Sequence, residues 1–139
     1  MPFTGDTIRS IDEILEKAYT DGRDTLYEYE VYQILKQIDL NIPEFVLVNN
    51  PADVNTVTLQ KFRGSVVAKV VSPHIAHKQK LGGVKIIRNL DPLFVQFVLH
   101  RMQEEVLSHF DEGQRPEIKG FLLVEFIPYT QALGYEVLF

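Results

Sequence analysis

Lys69 interrupts the apolar run Val66-Val67-Ala68-Lys69-Val70-Val71. An ammonium inside a buried strand costs free energy unless it meets a negative group. On an edge strand the same side chain would reach water along its own apolar stem. Lys69 is therefore a candidate anion ligand. Just downstream, Ser72-Pro73-His74-Ile75-Ala76-His77-Lys78-Gln79-Lys80-Leu81-Gly82-Gly83 joins two apolar runs with two His, two Lys and a Gly pair. Gly82-Gly83 permits positive φ and a close backbone approach to a ligand. His74-x-x-His77 supplies two zinc-type ligands without a third strong one nearby, and a structural zinc site needs four. Imidazole beside lysine suits phosphate better, since it can donate to phosphate oxygen or attack phosphorus. Glu125 breaks Phe121-Leu122-Leu123-Val124-Glu125-Phe126-Ile127, and Glu136 breaks Tyr135-Glu136-Val137-Leu138-Phe139. Three readings stand: alternation onto a wet sheet face, pairing with Lys69, or a polar line across one sheet face that meets a polar ligand. GxxxxGK[ST], GxGxxG and a serine nucleophile elbow are absent.

These residues need elements to position them. Ser10-Ile11-Asp12-Glu13 and Thr25-Leu26-Tyr27-Glu28 fit capping boxes. The first opens a helix lined by Ile11, Ile14, Leu15 and Ala18, which Gly22 stops; the second opens one lined by Val31, Ile34, Leu35 and Ile38. Residues 44–48 read as a short strand. Asn50-Pro51 starts a helix to about Phe62, weakened by its β-branched residues. Strands follow at 65–71 and 84–88. Asp91-Pro92 opens a long helix whose stripe is Phe94, Phe97, Val98, Met102, Val106 and Phe110. Residues 120–127 and 134–139 read as strands. The order, roughly ααβαββαββ, gives an α+β or α/β arrangement: a small sheet with helices packed on it.

The chain has 139 residues, 45% hydrophobic, with no Cys and no Trp. That is enough for one core and excludes a disulfide framework, a Cys zinc site and a Cys nucleophile. No apolar run approaches the ~20 residues of a membrane span, and residues 1–10 lack the pattern of a signal peptide. No membrane association and a cytoplasmic location are expected. The net charge of −5 speaks against a nucleic-acid partner. Yet residues 54–90 hold seven Lys and Arg and no acid, while the rest of the chain holds seven basic and nineteen acidic residues. A basic island in an acidic chain focuses a field for a local anion; the simpler alternative is a solvated basic face.

Val67-Ala68-Lys69-Val70-Val71-Ser72-Pro73-His74-Ile75-Ala76-His77-Lys78, followed by Gly82-Gly83-Val84, resembles the "vlKi-SPdI-HK-d-GGV" run of the ATP-grasp part (β-subunit type) of ADP-forming acyl-CoA synthetases, the acetate–CoA ligases related to succinyl-CoA synthetase. Gly22-Arg23, Leu26, Glu28, Glu30 and Ile42-Pro43 resemble the opening of that family. Residues 120–128 resemble the strand leading to its adenine hinge, and Gly134-Tyr135-Glu136 the "g-E" after it. The resemblance implies an ATP-grasp first lobe at 25–139 behind an N-terminal helical extension at 1–24. It implies a small, mainly antiparallel sheet packed with helices. Lys69 would hold nucleotide phosphate. His77 would carry a phosphoryl group between a CoA-binding ligase part and ADP. Lys78 and the Gly82-Gly83 backbone would neutralise that phosphate. Glu125, Phe126 and Ile127 would lie at the adenine, and Glu136 would face the nucleotide. ATP/ADP and Mg2+ are the implied cofactors. No metal ligand is expected within this chain, because the metal carboxylates belong to the second lobe. The family usually has Asp at the position of His74, and Ser/Thr and Asp at those of Gln79 and Lys80, so this loop is more basic.

The leading expectation is thus the nucleotide-binding lobe of an acid–thiol ligase, acid + CoA + ATP to acyl-CoA + ADP + phosphate, inactive as this chain alone. Self-association or strand pairing at an unfinished sheet edge is expected with it. The alternative is a non-catalytic phosphate- or nucleotide-binding regulatory module of a protein acetyltransferase-type fusion. The loop from Ser72 to Gly83 is expected to stay open without ligand, being basic and poor in large apolar side chains.

Overall fold

The computed structural model describes residues 5–75 and 77–126. They fall in two compact units, residues 5–42 and residues 43–126. The division drawn after residue 24 falls inside the first unit, between its two helices.

In the first unit, helices α1 (Gly5–Thr20) and α2 (Glu28–Gln37) pack together. Helix α1 starts earlier than the Ser10 box, which therefore lies within it. It ends in a Schellman motif: Arg23 N–H donates to Ala18 C=O at 2.9 Å and Gly22 N–H to Tyr19 C=O at 3.0 Å. Gly22 takes φ +75°, the left-handed conformation that a side chain resists. The expected Thr25 cap of α2 moves to Tyr27, because the Glu30 carboxylate accepts from the Tyr27 N–H at 2.8 Å. The same carboxylate takes a bidentate pair from Arg23, at 2.6 and 3.0 Å. The two side chains are 7% and 3% exposed. The guanidinium also lies 3.9 Å above the Tyr27 ring. Arg23 is held charged above its usual range, chiefly by its hydrogen bond to Glu30.

The second unit is a four-stranded antiparallel sheet in the order β1-β4-β2-β3, formed by β1 (Phe45–Val48), β2 (Val66–Val71), β3 (Val84–Ile87) and β4 (Gly120–Glu125). Helix α4 (Pro92–Ser108) contacts β2 and β3. Asp91 caps it, accepting from the Phe94 N–H at 3.1 Å, with Pro92 in its first turn. Val95, Leu99, Met102 and Val106 turn inward and are buried against Val66, Ala68, Val70, Phe121 and Leu123. The expected stripe was rotated in its first half: Phe94 and Phe97 are 41% and 60% exposed. Residues 93–99 are apolar almost all round the helix, so periodicity alone does not choose a face. The choice goes to the face continuous with Met102 and Val106, and Gln96 Nε2 donates to Val54 C=O at 2.7 Å beside it.

The helix expected from Asn50 to Phe62 is two pieces, a 3-10 turn at Pro51–Asp53 and α3 (Thr56–Leu59). Asn55 breaks it. Its backbone is extended and its side chain accepts from the Thr58 N–H at 2.9 Å, starting a new helix amid β-branched residues. The strand expected at 134–139 lies outside the described residues. Among the described residues, no helix is long and apolar enough to cross a membrane.

Two outcomes follow for the helix pair. Glu30→Ala leaves the Arg23 charge buried and should cost about 3 kcal/mol of stability in denaturant melts; a loss below about 1 kcal/mol would show that the pair is solvated. Burial, and donation from its hydroxyl to Glu28 at 2.7 Å, raise the Tyr32 phenol above its usual range. A raised acid keeps its proton longer when folded. Its contribution is therefore whole below the unfolded value of about 10 and fades as pH rises through the folded one. Tyr32→Phe should flatten the loss of stability above about pH 10; equal alkaline slopes in both proteins would refute this.

Candidate functional site

Strand register decides which side chains share a face, because residues directly opposite in a ladder point the same way. Val66, Ala68 and Val70 of β2 face α4, together with Phe121, Leu123 and Glu125 of β4. Lys69 and Val67 face the other way, with Leu122 and Val124 of β4, Leu47 and Phe45 of β1, and Val84 and Ile86 of β3. Among the described residues, that second face is an apolar platform interrupted within its ladders by Lys69, and its central Leu122 and Val124 are buried. Lys69 is half-buried there.

Lys69 also stands at the base of the loop. It is the last β2 residue paired with β3, opposite Val84. The next residue, Val70, donates its N–H to Gly83 C=O at 2.9 Å. The topology thus brings Lys69 to the point where the segment carrying His74, His77 and Lys78 leaves the sheet. His74 and His77 are exposed and Lys78 is half-buried.

The loop is better anchored than its composition suggested. Ile75 is buried in the core, and Leu81 packs against it. Ser72 is buried, its hydroxyl accepting from the His74 N–H at 3.3 Å. The turn closes on the Lys78 carbonyl, which receives the Gly83 N–H at 2.7 Å and the Leu81 N–H at 3.1 Å. Gly82 takes φ +85°. A Cβ on Gly83 would lie 3.1 Å from the Lys78 carbonyl oxygen. Both glycines therefore have a packing reason to be glycine, in addition to any contact with phosphate.

Glu125 does not lie on the Lys69 face. It stands opposite Val66, on the α4 side at the sheet's end, where its Oε1 accepts a long 3.4 Å hydrogen bond from the Arg63 N–H. The expected polar line of Lys69 with Glu125 across one sheet face is thus not formed. β4 is buried on both faces, so no alternation in its sequence marks which way Glu125 points. Phe126 follows β4 half-buried and donates its N–H to Ser65 C=O at 2.9 Å. Ile127 and Glu136 lie outside the described residues.

The basic island divides among different jobs. Lys61 donates to the Phe45 carbonyl and lies over the Phe45 ring. Lys85 stands opposite Ala68, so it projects to the α4 side, where it pairs with Glu105 at 3.1 Å. Sequence reasoning missed Glu105, a polar residue on an ordinary helix whose role shows only in the packed fold.

The ATP-grasp domain family matches residues 17–138. Acetate–CoA ligase (ADP-forming) I subunit beta of Pyrococcus furiosus is 40% identical over 85 residues, covering 58% of this chain and 34% of the relative. The 4-hydroxybutyrate–CoA ligase (ADP-forming) of Nitrosopumilus maritimus is 30% identical over 115 residues, covering 83% and 16%. Among solved structures, the dinucleotide forming acetyl-coenzyme A synthetase 1 of Ca. Korarchaeum cryptofilum, in complex with coenzyme A, Ca-AMPCP and HgCl+, superposes with a TM-score of 0.70 at 27% identity. The superposition covers 84% of this chain and 49% of that one. The chain spans about a third or less of the length of these two curated ligases.

Because Lys69 and Glu125 sit on opposite faces of the sheet, their substitutions should act independently. The stability changes of Lys69→Met and Glu125→Gln should add in the double variant to within about 0.5 kcal/mol. A coupling above about 1 kcal/mol in a double-mutant cycle would mean that the two groups interact.

Proposed function

We propose that this chain, which belongs to the ATP-grasp family, is the nucleotide-binding lobe of an ADP-forming acyl-CoA synthetase, converting acid, CoA and ATP to acyl-CoA, ADP and phosphate. The observation that carries the reading is the position of Lys69: one ammonium on an apolar sheet face, at the root of the loop that holds His77. A partly desolvated ammonium at the root of a basic loop suits phosphate. The ligase names of the relatives favour this reading over a regulatory module.

On this reading residues 25–139 form the first lobe, and His77 carries a phosphoryl group between the CoA-binding ligase part and the nucleotide. In the direction written, the terminal P–O bond of ATP breaks as a P–N bond to the imidazole forms and ADP leaves; that P–N bond then breaks as the group passes to its acceptor on the ligase part. Lys69 holds the nucleotide phosphate in place, while Lys78 and the Gly82-Gly83 turn offset charge beside His77. Phe126 and Ile127 border the base, with Glu125 at the end of that strand and Glu136 toward the nucleotide. Among the described residues, no group of three or more His, Asp or Glu is placed to hold a metal ion. When bound with the nucleotide, Mg2+ would neutralise charge on its phosphates. The second lobe and a CoA-binding ligase part complete the enzyme, which works in the cytoplasm.

In the intact ligase, His77→Ala should lower acyl-CoA formation by on the order of 10³-fold or more while nucleotide affinity stays near wild type. Lys69→Met should instead weaken nucleotide binding by about 2 kcal/mol, the worth of a hydrogen bond to a charged group. Calorimetric titration with Mg-ADP and a CoA- and acid-dependent turnover assay separate the two effects. Unchanged turnover in His77→Ala would remove His77 from the mechanism.

A further inference from the structure

Gly82 is crowded by a residue from outside its own loop. The Cγ, Cδ and Oε2 atoms of Glu105 occupy the space that a Cβ on Gly82 would fill. The carboxylate of α4 therefore rests directly on the Gly82 α-carbon, where the backbone takes its left-handed turn at φ +85°. The same Oε2 lies 3.1 Å from the Lys85 Nζ. Lys85 is the second residue of β3, immediately after the turn. One carboxylate thus touches the turn from above and pairs with the strand that leaves it.

The turn in question leads back to His77. Gly82 N–H donates to Gln79 C=O at 3.3 Å, and Gly83 N–H to Lys78 C=O at 2.7 Å. Holding Gly82 holds the Lys78 carbonyl, and Lys78 is the residue bonded to His77. Its charge suits the place as well: Lys78, Lys80 and Lys85 cluster in sequence around the turn, and no acid occurs between residues 54 and 90 to balance them. For Lys85 the counter-charge comes from another element, and Glu105 supplies it.

We propose that Glu105 is a positioning residue of the His77 loop, its carboxylate acting with Lys85 as a clip that fixes the turn from Lys78 to Gly83. The catalytic part of this inference rests on the reading of His77 as the phosphoryl carrier; the structural part does not. Lys85 and Glu105 are 44% and 48% exposed, so the clip is a solvated one that tunes the loop without holding the fold.

The test uses Glu105→Gln, which keeps shape and removes charge, and Lys85→Met, which removes the partner, both in the intact ligase. Amide hydrogen exchange at Gly82 and Gly83 reads the turn. Each variant should lose protection there by about fivefold, the most that a half-exposed ion pair supports, with the amides of β2 and α4 and the melting temperature unchanged. The double variant should lose no more than either single one. Turnover should fall roughly tenfold at unchanged KM for ATP, because a small misplacement of a reacting group is expensive in rate. Wild-type protection and turnover in Glu105→Gln, or additive losses in the double variant, would overturn the clip. If the wild-type enzyme instead shows no phosphorylated His77, the functional reading falls, and the exchange arm still decides whether Glu105 holds the turn.

Discussion

The pairing of β2 with β4 is the constraint on which the second unit depends. Among the described strands β4 comes last in sequence but lies between β1 and β2, and it covers β2 along all six of its residues. This contact converts β2 from an edge strand into a central one, and it also fixes a register in which side chains alternate strictly. Val66, Ala68 and Val70 go to the helix and Lys69 goes to the opposite face as one decision. A slip by one residue would turn Lys69 onto the α4 side and send the three core residues outward.

Once that register is set, the charges sort themselves. The basic island is continuous in sequence but not in space. Alternation carries Lys85 to the helix side, where it finds Glu105, and leaves Lys69 on the platform. Lys61 is spent on the β1 carbonyl. The seven basic residues therefore do not act as one continuous positive surface: Lys61 and Lys85 are engaged elsewhere in the fold.

Local signals were legible and non-local ones were not. The apolar run of β2, the Gly82-Gly83 turn and the Asp91-Pro92 helix start each depend on neighbours within a few residues, and all three appear where the residues place them. Lys69 was recognisable as an oddity from its own strand, and the SPHIAHK run from its resemblance. The face of Glu125 was not, because Phe121-Leu122-Leu123-Val124 is apolar at every position and carries no period-two mark. Phe94 and Phe97 were misassigned for the equivalent reason on a helix that is apolar nearly all round. Asn55 was overlooked as a cap because its Thr58 partner reads as one more β-branched residue. The clip at Gly82 needed two elements to be in contact: a glycine pair signals a turn, but nothing near it in sequence signals Glu105.

The two anchors of the loop limit what its histidine can do. Ile75 is buried, and Leu81 packs against the core, so the loop is held at two points. His77 lies two residues from Ile75, and two residues of chain extend at most about 7 Å. While Ile75 stays in the core, His77 is confined to a small volume around the root of the loop. A loop tied down in this way holds its imidazole and its lysines in one arrangement, and on the proposed reading that pre-arrangement is what a group exchanging phosphoryl with His77 would meet.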